Sequence, residues 1–472
     1  MKKIVKLLTT TLSIAVAVCI FSILACAQEN SNDVYYARDT VDGNVAYVYD
    51  RLSEELLKFS PSQEISLDDS KNITEQELAL GVKLFLSDHP ECFFVNGGYG
   101  YSTFEDGTVV SVSPNFDVSV SDIPYMRAQL DAVVEQILEA MPDGDNYAKA
   151  LYLHDAVASH TEYVETGLHQ SAYGALVSGK AICAGYASAY QLLLQRAGIC
   201  AWTVTGMSID PSDGQPEAHA WNMVMIEDGV CVYSDVTWDD QGEKLYRAYF
   251  NRTLEQMKST HAEDASIFTL PSCSHSGYGY FEKNEKIFMP DGTPEQLAKF
   301  FVTAEDGNKV AKFLYTGSDI KTWLDQNKSE LYELLGGTGG FSYKTSTIGG
   351  EVQLIFTGDF SELGDGEGEQ TPDTDPEIPE FETDIEVEKP TEPIVDIKPI
   401  VPEEEEGNIA FPTENSPSDK NEKPDDDDRE ATKKSKSSVA IGGCSLAVIT
   451  PSIFAVVAAG AALVLTNKKY KK

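Results

Sequence analysis

The segment from Ser361 to Glu430 limits where this 472-residue chain can fold. It holds 26 acidic and 5 basic residues and 10 of the chain's 21 prolines, which gives it a net charge of −21. Such a composition cannot bury enough apolar surface to offset the entropy of ordering, so residues 361–437 are predicted to be an extended, disordered linker. We therefore expect the packed domains to lie before it.

The N-terminus has the pattern of an export signal. Residues 1–27 combine three early lysines, an apolar stretch and the small residues Ala25 and Ala27 at its end, which predicts a cleaved signal peptide. The same end also resembles a lipobox, so lipoprotein processing at Cys26 is the alternative to simple cleavage. Either outcome places the following residues outside the cell.

The C-terminus has the pattern of a membrane anchor. Residues 438–466 are almost uncharged and long enough to span a bilayer of about 30 Å as a single transmembrane helix. The lysine-rich residues 467–472 are expected to stay in the cytoplasm. The two termini together predict a single-pass protein of the cell membrane, in a layout typical of Gram-positive bacteria. The formal net charge of −40 argues against nucleic acid as a partner.

Three folded regions are predicted between these ends, and together they indicate an α+β protein. Residues 28–130 form an N-terminal α/β region, residues 131–285 a central core, and residues 286–360 a small α/β module without evident chemistry. The core pattern contains helices over 124–141, 146–165 and 183–197, followed by strands over 202–207, 218–226 and 230–236.

Cys183 lies where a short Gly-Lys turn gives way to a helix, in the stretch SGKAICAGYASAY. A helix N-terminus carries partial positive charge, which favours a thiolate and can also stabilise an oxyanion. A nucleophilic thiol further needs a base to move protons and a group that orients the base.

His219 and Asp235 can supply that base and orienting group. They lie on the second and third predicted strands, which are joined by a Glu-Asp-Gly turn typical of a hairpin. If the hairpin pivots near Asp228, position 219 pairs near position 237, and both side chains project from the same face. Asn222 then faces the other side and is expected to be structural.

Three blocks of this region carry a family resemblance. They are SAYGALVSGKAICAGYASAYQLLLQRAGI, HAWNMVMI and YSDVTWDD, and AYFNRTLEQMKSTH follows them. In order and spacing they resemble the signature blocks of the transglutaminase-like superfamily, in its bacterial branch. The resemblance implies a papain-like core in which Cys183 is the nucleophile, His219 the general base and acid, and Asp235 the group that fixes the imidazole. Trp221 and Trp238 would shield the site or bind the substrate, although either could equally be a core residue. Tyr173 is a weaker candidate for substrate binding, as the oxyanion partner of the Cys183 N–H.

The family's chemistry implies an acyl-thioenzyme formed from a peptide or glutamine-type carbonyl. No metal or cofactor is predicted, but a requirement for calcium stays open. The acyl acceptor stays open, because water would make the enzyme a peptidase or amidase and an amine would make it an acyltransferase. The substrate is expected to be a protein, a peptide or a cell-wall peptide. A non-catalytic surface protein for binding or scaffolding, on the same fold, is the alternative from another class.

The cysteines outside the two ends of the chain number five: Cys92, Cys183, Cys200, Cys231 and Cys273. Because five is odd, at least one cannot pair within the chain, and Cys183 is expected to stay outside any disulfide. Cys200 and Cys231 are expected to be small buried residues. The scattered spacing predicts no disulfide framework.

Overall fold

The chain is a mixed α+β protein in a computed structural model that describes residues 34–209, 214–242, 244–264, 271–304 and 306–361, the short pieces 378–379 and 381, and the backbone of 434–439. The predicted signal peptide, and most of the predicted linker and transmembrane helix, lie outside these residues. Among the helices that are described, none is both long and apolar enough to cross a membrane.

The N-terminal region packs helices against an antiparallel sheet. Its second long helix begins with a capping box, since Thr74 accepts a hydrogen bond from the Glu77 backbone and the Glu77 carboxylate accepts one from Thr74. The helices are α1 (Tyr36–Asp39), α2 (Gly43–Leu56), α3 (Glu75–Asp88) and α4 (Ile123–Glu139), and the strands are β1 (Ile65–Ser66), β2 (Val95–Thr103) and β3 (Val109–Phe116).

A short segment from the far end of the chain completes this sheet. Lys434–Val439 pairs antiparallel with β2, which gives the strand order β1-β3-β2 followed by the added strand. These six residues, which the sequence analysis assigned to the end of the linker and the start of the membrane helix, form an extended strand in the structure. An unpaired strand edge offers a row of N–H and C=O groups, and an extended segment without acidic residues satisfies them.

The central core consists of a helix layer on a four-stranded antiparallel sheet with strand order β8-β7-β6-β9. The first core helix ends at His160, earlier than predicted, because the next residues pair as a strand with Lys180–Ala181. The elements are α5 (Asn146–His160), β4 (Glu162–Tyr163), α6 (Ala172–Leu176), β5 (Lys180–Ala181), α7 (Cys183–Arg196), β6 (Ala201–Ile209), β7 (Pro216–Glu227), β8 (Val230–Ser234), α8 (Val236–Asp239), α9 (Leu254–Met257), β9 (His261–Glu263) and α10 (Tyr280–Lys283).

Helix α7 is held against the sheet by small residues and amide hydrogen bonds. Asn222 Nδ2 on β7 donates to the Ala187 carbonyl oxygen at 2.9 Å, which is a structural role, as predicted. Gln191 Oε1 accepts hydrogen bonds from the backbone N–H and the hydroxyl of Thr203 on β6. These buried polar contacts fix the position of α7 along the strands, because each would cost free energy if left unmade.

The C-terminal module has its own sheet and its own apolar core. Phe313, Leu324 and Phe356 are fully buried within it. Its sheet order is β10-β12-β14-β13, with β11 paired to β12. The elements are β10 (Ile287–Phe288), α11 (Pro294–Ala298), β11 (Phe301–Thr303), β12 (Lys309–Tyr315), α12 (Ile320–Leu334), β13 (Gly337–Ile348) and β14 (Glu351–Phe360).

This module packs against the core loop that follows α8. The Glu351 carboxylate accepts a hydrogen bond from the Arg247 backbone N–H at 2.6 Å, and Gln353 Nε2 donates to the Leu245 carbonyl oxygen at 3.3 Å. The Tyr246 hydroxyl donates to Ser346 Oγ at 2.9 Å. The module therefore braces a loop only a few residues beyond Asp235.

Glu351→Gln is expected to stabilise the protein at pH 8 but not at pH 4.5. Burial, opposed by the hydrogen bond from Arg247, raises the pKa of Glu351 from 4.5 to about 7. Between these values the folded state holds a proton that the unfolded state has released, so stability falls as pH rises, by about 3 kcal/mol at most. Glutamine keeps the acceptor oxygen without the charge.

The measurement is the melting temperature of both proteins at pH 4.5, 6 and 8. The exposed Glu330→Gln, on α12, is the matched control and is expected to change little at any pH. An equal melting temperature for Glu351→Gln and the native chain at pH 8 would contradict a buried carboxylate with a raised pKa.

Candidate active site

Cys183 is the first residue of α7 and is buried, with 3% of its surface exposed. The preceding Ile182 has extended backbone, and no side chain caps the helix. The Ile182 N–H donates to the His169 carbonyl oxygen at 3.0 Å. This hydrogen bond holds the start of α7 against the loop before α6. Gly185 makes this approach possible, because a Cβ there would lie 2.4 Å from the same carbonyl oxygen. The sequence thus places the thiol at an uncapped helix N-terminus.

Strand β7 crosses the start of α7 beside this thiol. Ala220 packs with Cys183, Ala184 and Ala187 in one buried cluster. His219 directly precedes Ala220 on the strand, so its backbone lies at the Cys183 end of the helix.

His219 and Asp235 form the predicted pair. His219 Nε2 lies 2.7 Å from Asp235 Oδ2, and both side chains are buried. Strands β7 and β8 pair Asn222 with Ser234. Extended by three residues, this register would put position 219 opposite position 237, as the hairpin argument predicted. Strand β8 ends at Ser234, however, and Asp235 caps α8 by accepting a hydrogen bond from the Trp238 N–H at 3.1 Å.

The electrostatics of Asp235 favour its ionised form. Complete burial by itself would raise the pKa, but the adjacent His219 and His261 rings outweigh it and hold the pKa of Asp235 well below its usual range. A permanent carboxylate that accepts from His219 Nε2 fixes the tautomer of that ring. It leaves Nδ1 as the nitrogen that can exchange a proton with a thiol.

His261 is the site residue that sequence reasoning missed. Its Nε2 lies 2.9 Å from Asp235 Oδ2, the same oxygen that meets His219, and its Nδ1 lies 2.9 Å from the Thr260 hydroxyl. Burial lowers the pKa of His261, although Asp235 acts in the opposite direction. A neutral His261 therefore donates to the carboxylate. Its only sequence signal was its position at the end of the block AYFNRTLEQMKSTH.

Glycine in β6 allows His261 to reach the site. β9 pairs antiparallel with β6, with His261 opposite Ser208. A Cβ at Gly206 would lie 2.2 Å from the Ala262 carbonyl oxygen and 2.8 Å from the Trp221 ring, so only glycine admits both neighbours.

Aromatic rings surround the two histidines. The centroid of the Trp221 ring lies 6.0 Å from that of His219, and the Trp238 ring lies 5.8 Å from His219 and 4.6 Å from His261. Tyr249 packs on the other side of His261, with centroids 5.6 Å apart. Trp221 is buried and Trp238 half-buried, so Trp238 is the ring that can reach a ligand.

The contacts that the structure describes for Tyr173 are not with this group of rings. Its hydroxyl donates to Gln129 Oε1 at 2.8 Å, and its ring packs on Phe93 with centroids 4.9 Å apart. These contacts belong to the core between α4 and α6, and they do not support the predicted substrate-binding role.

A cleft of about 270 Å³ opens beside His219. Among the described residues its lining includes the acidic side chains of Glu217 and Asp240 but no lysine or arginine. Such a volume can hold a small side chain or several waters. The lining residues are Tyr163, Ser208, Glu217, Ala218, His219, Thr237, Trp238, Asp240 and Gln241.

A second network of buried charged side chains contacts α8 through Asp239. His154 lies between two carboxylates, 2.9 Å from Asp155 and 3.3 Å from Asp239. Burial lowers the pKa of His154, but these carboxylates outweigh it and raise the pKa to about 9. The Arg247 guanidinium in turn pairs with Asp155 at 2.6 Å. The network positions the short helix that Asp235 caps.

The side chains of His219, Asp235 and His261 also form the group best placed to hold a metal ion among the described residues, since their ligand atoms lie within 4.8 Å of one another. Both rings, however, already direct Nε2 to one carboxylate oxygen at hydrogen-bond distance. A metal would have to displace both hydrogen bonds, so the arrangement fits proton transfer better than coordination.

Comparisons with known proteins agree with this architecture. Residues 133–238 match the model of the transglutaminase-like superfamily, and the match includes Cys183, His219 and Asp235 but ends before His261. No curated protein matches the chain.

Two solved structures show distant similarity. One is described as a TGase, with 16% identity, a TM-score of 0.22, and coverage of 49% of this chain and 57% of that one. The other is described as a candidate protease from Parabacteroides distasonis, with 10% identity, a TM-score of 0.20, and coverage of 55% and 61%. In both cases the matched part spans less than two thirds of the relative's length. Over residues 133–238, this chain is similar to the core of the transglutaminase-like superfamily.

Proposed function

We propose that the chain is a membrane-tethered, extracellular thiol enzyme that acts on peptide or glutamine-type carbonyls through an acyl-thioenzyme. The observation that carries this proposal is the 2.7 Å contact between His219 Nε2 and Asp235. His219 lies on β7, the strand that packs against the Cys183 end of α7. A binding protein without turnover has no need for an imidazole that a buried carboxylate orients.

In the acylation step, the Cys183 thiolate attacks the carbonyl carbon, and the new C–S bond pushes an electron pair onto the oxygen. The positive end of the α7 dipole favours both the thiolate and this oxyanion. When the intermediate collapses, the C–N bond breaks and the imidazolium of His219 gives its proton to the leaving amine or ammonia. The product is a thioester on Cys183.

In the deacylation step, neutral His219 takes a proton from the acceptor as the acceptor attacks the thioester. Water gives a carboxylic acid, and an amine gives a new amide. The proton then returns to the leaving thiolate or is shared with it. Asp235, ionised throughout, stabilises the imidazolium in both steps, as its depressed pKa allows.

The acidic lining of the cleft narrows the substrate class. Glu217 and Asp240 line the space beside His219, and among the described residues no lysine or arginine lines it. A neutral or cationic group next to the reacting carbonyl is therefore favoured over an anionic one. Protein, peptide and cell-wall peptide substrates can all meet this condition.

The tether is a proposal from the two ends of the sequence. The apolar segments at 1–27 and 438–466 and the acidic linker between the folded regions and the second of them support display on the outer face of the cell membrane. An epitope tag on residues 467–472 is expected to be protected from added protease in intact cells. After lysis the same tag is expected to be cleaved.

The test of the proposed activity uses the full chain purified in detergent. We expect iodoacetamide to label Cys183 selectively at pH 6, as mapped by mass spectrometry, and a peptide library to be cleaved, or joined to a fluorescent amine. Slow labelling at pH 6, no faster than that of the buried Cys92, would favour the binding or scaffolding alternative.

His261→Ala is expected to lower kcat about 10- to 100-fold with little change in KM. The loss corresponds to one hydrogen bond to a buried carboxylate. His261→Gln is the matched variant, because its amide N–H can still donate to Asp235, and it is expected to recover much of the rate. Equal rates for the alanine variant and the native chain would show that His261 only fills space.

A further inference from the structure

Three cysteines lie close together on the face of the core sheet away from α7. Cys200, Cys231 and Cys273 share one buried cluster with the Trp202 and Tyr233 rings. Cys231 belongs to β8, and Cys273 lies on the segment fixed to α9 through the hydrogen bond from the Leu254 N–H to its carbonyl oxygen at 2.8 Å.

The positions of these thiols select one pair. The thiols of Cys231 and Cys273 are hydrogen-bonded to each other. Cys200 and Cys231, by contrast, lie on either side of β7, since Met225 pairs with Cys231 and its N–H donates to the Cys200 carbonyl oxygen. Two strand spacings amount to about 9.5 Å, whereas a disulfide requires Cα atoms within about 7 Å.

The two remaining cysteines belong to other parts of the fold. Cys92 packs in the core of the N-terminal region, and Cys183 packs in the alanine cluster at the start of α7. Neither cluster contains a second described cysteine.

We propose that Cys231 and Cys273 form a disulfide when the chain folds in the presence of a disulfide oxidant, and that this bond fixes the residue 273 segment to the strand that leads into Asp235. The covalent loop runs from 231 to 273 and contains Asp235, Trp238 and His261. The spacing of the cysteines predicts no disulfide framework, and the proposal adds one specific bond to that expectation.

The exchange balances with an ordinary disulfide such as oxidised glutathione. The Cys231 thiolate attacks one sulfur of the oxidant, forms a mixed disulfide and releases one glutathione thiolate. The Cys273 thiol then loses its proton and attacks Cys231 Sγ, which releases the second glutathione. Two protein thiols are oxidised and one oxidant disulfide is reduced to two thiols.

The exchange belongs to folding. Both thiols are buried in the folded chain, so the oxidant reaches them before the aromatic cluster closes over them. At that stage either cysteine can be the attacking thiol and the other the resolving one.

The bond would leave the proposed nucleophile untouched. Pairing Cys231 with Cys273 uses two of the five described cysteines and keeps Cys183 outside the pair. It also ties together the ends of the segment that supplies Asp235 and His261. Such a bond acts mainly by restricting the conformations of the unfolded chain. Its effect is therefore expected on the free energy of unfolding more than on the catalytic rate.

The test uses the full chain refolded with oxidised glutathione, alkylated under denaturing conditions without reductant, and digested. We expect one cross-linked peptide pair that contains Cys231 and Cys273, and carbamidomethylated Cys183. Alkylation of both Cys231 and Cys273, or a cross-link between either one and another cysteine, would overturn the proposal.

A thermal measurement provides the independent readout. Reductant is expected to lower the melting temperature of the native chain by about 5–10 °C, as for a loop of about 40 residues. The double variant Cys231→Ala/Cys273→Ala is expected to show no response to reductant, whereas Cys200→Ala keeps the full response. A reductant response that survives in the double variant, or disappears in Cys200→Ala, would contradict the assigned pair.

Discussion

Replacing Cys183 by alanine is expected to reduce turnover by at least about 10⁴-fold while the protein stays folded. The thiolate is the atom that forms the covalent bond in the proposed mechanism, and no other group at the start of α7 can replace it. The substitution removes one sulfur atom from a cluster whose other members are alanines, so it should repack at low cost. The measurement is kcat/KM on the best substrate of the peptide library, with the melting temperature alongside.

Cys200→Ala is the matched control for this experiment. Cys200 is also a buried cysteine, but it belongs to the cluster with Trp202 and Tyr233 and not to that of Cys183. The described interactions show no contact of Cys200 with His219 or Asp235. Its activity is expected to stay within about twofold of the native value. If Cys183→Ala kept more than a tenth of the native rate, the proposed nucleophile would be wrong, whatever the fate of the control.

Local rules explain why most of the core could be predicted from the sequence. The helix starting at Cys183 follows a Gly-Lys turn and ends before Gly198, whose φ of +80° favours glycine. The Glu-Asp-Gly turn set the register of the β7-β8 hairpin, and Asp235 contacts His219 from just beyond the end of β8. Helix caps and hairpins depend on residues close in sequence, so one sequence contains their signal.

The remaining parts depend on contacts between distant residues. His261 reaches Asp235 because β9 pairs with β6, and the small size of Gly206 permits this approach. No spacing rule links residue 261 to residue 235. The Glu351 contact with Arg247 is longer-range still, at a sequence separation of 104 positions. For Tyr173, the family resemblance suggested a site role, whereas its described contacts are with Phe93 and Gln129.

These long-range contacts share one consequence for the site. Asp235 receives hydrogen bonds from two histidines and the Trp238 N–H, and the loop beyond α8 is held by Asp155 through Arg247 and by the C-terminal module through Glu351. The carboxylate is thus fixed by groups from three parts of the chain. Such support limits the motion of the His219 ring, which is what an efficient proton shuttle requires.

Replacing His219 by alanine is expected to lower kcat about 10³-fold, because the thiolate loses the group that delivers and removes protons. The vacated space adjoins the cleft of about 270 Å³, so imidazole added to the solution can enter it and meet Asp235. We expect rescue that rises with imidazole concentration and saturates. His275→Ala, at an exposed position outside the core sheet, is the control and should neither lose activity nor respond to imidazole. A His219→Ala variant with the native rate would exclude His219 as the base. Loss of activity without rescue, together with a much lower melting temperature, would assign His219 a structural role in holding Asp235 instead.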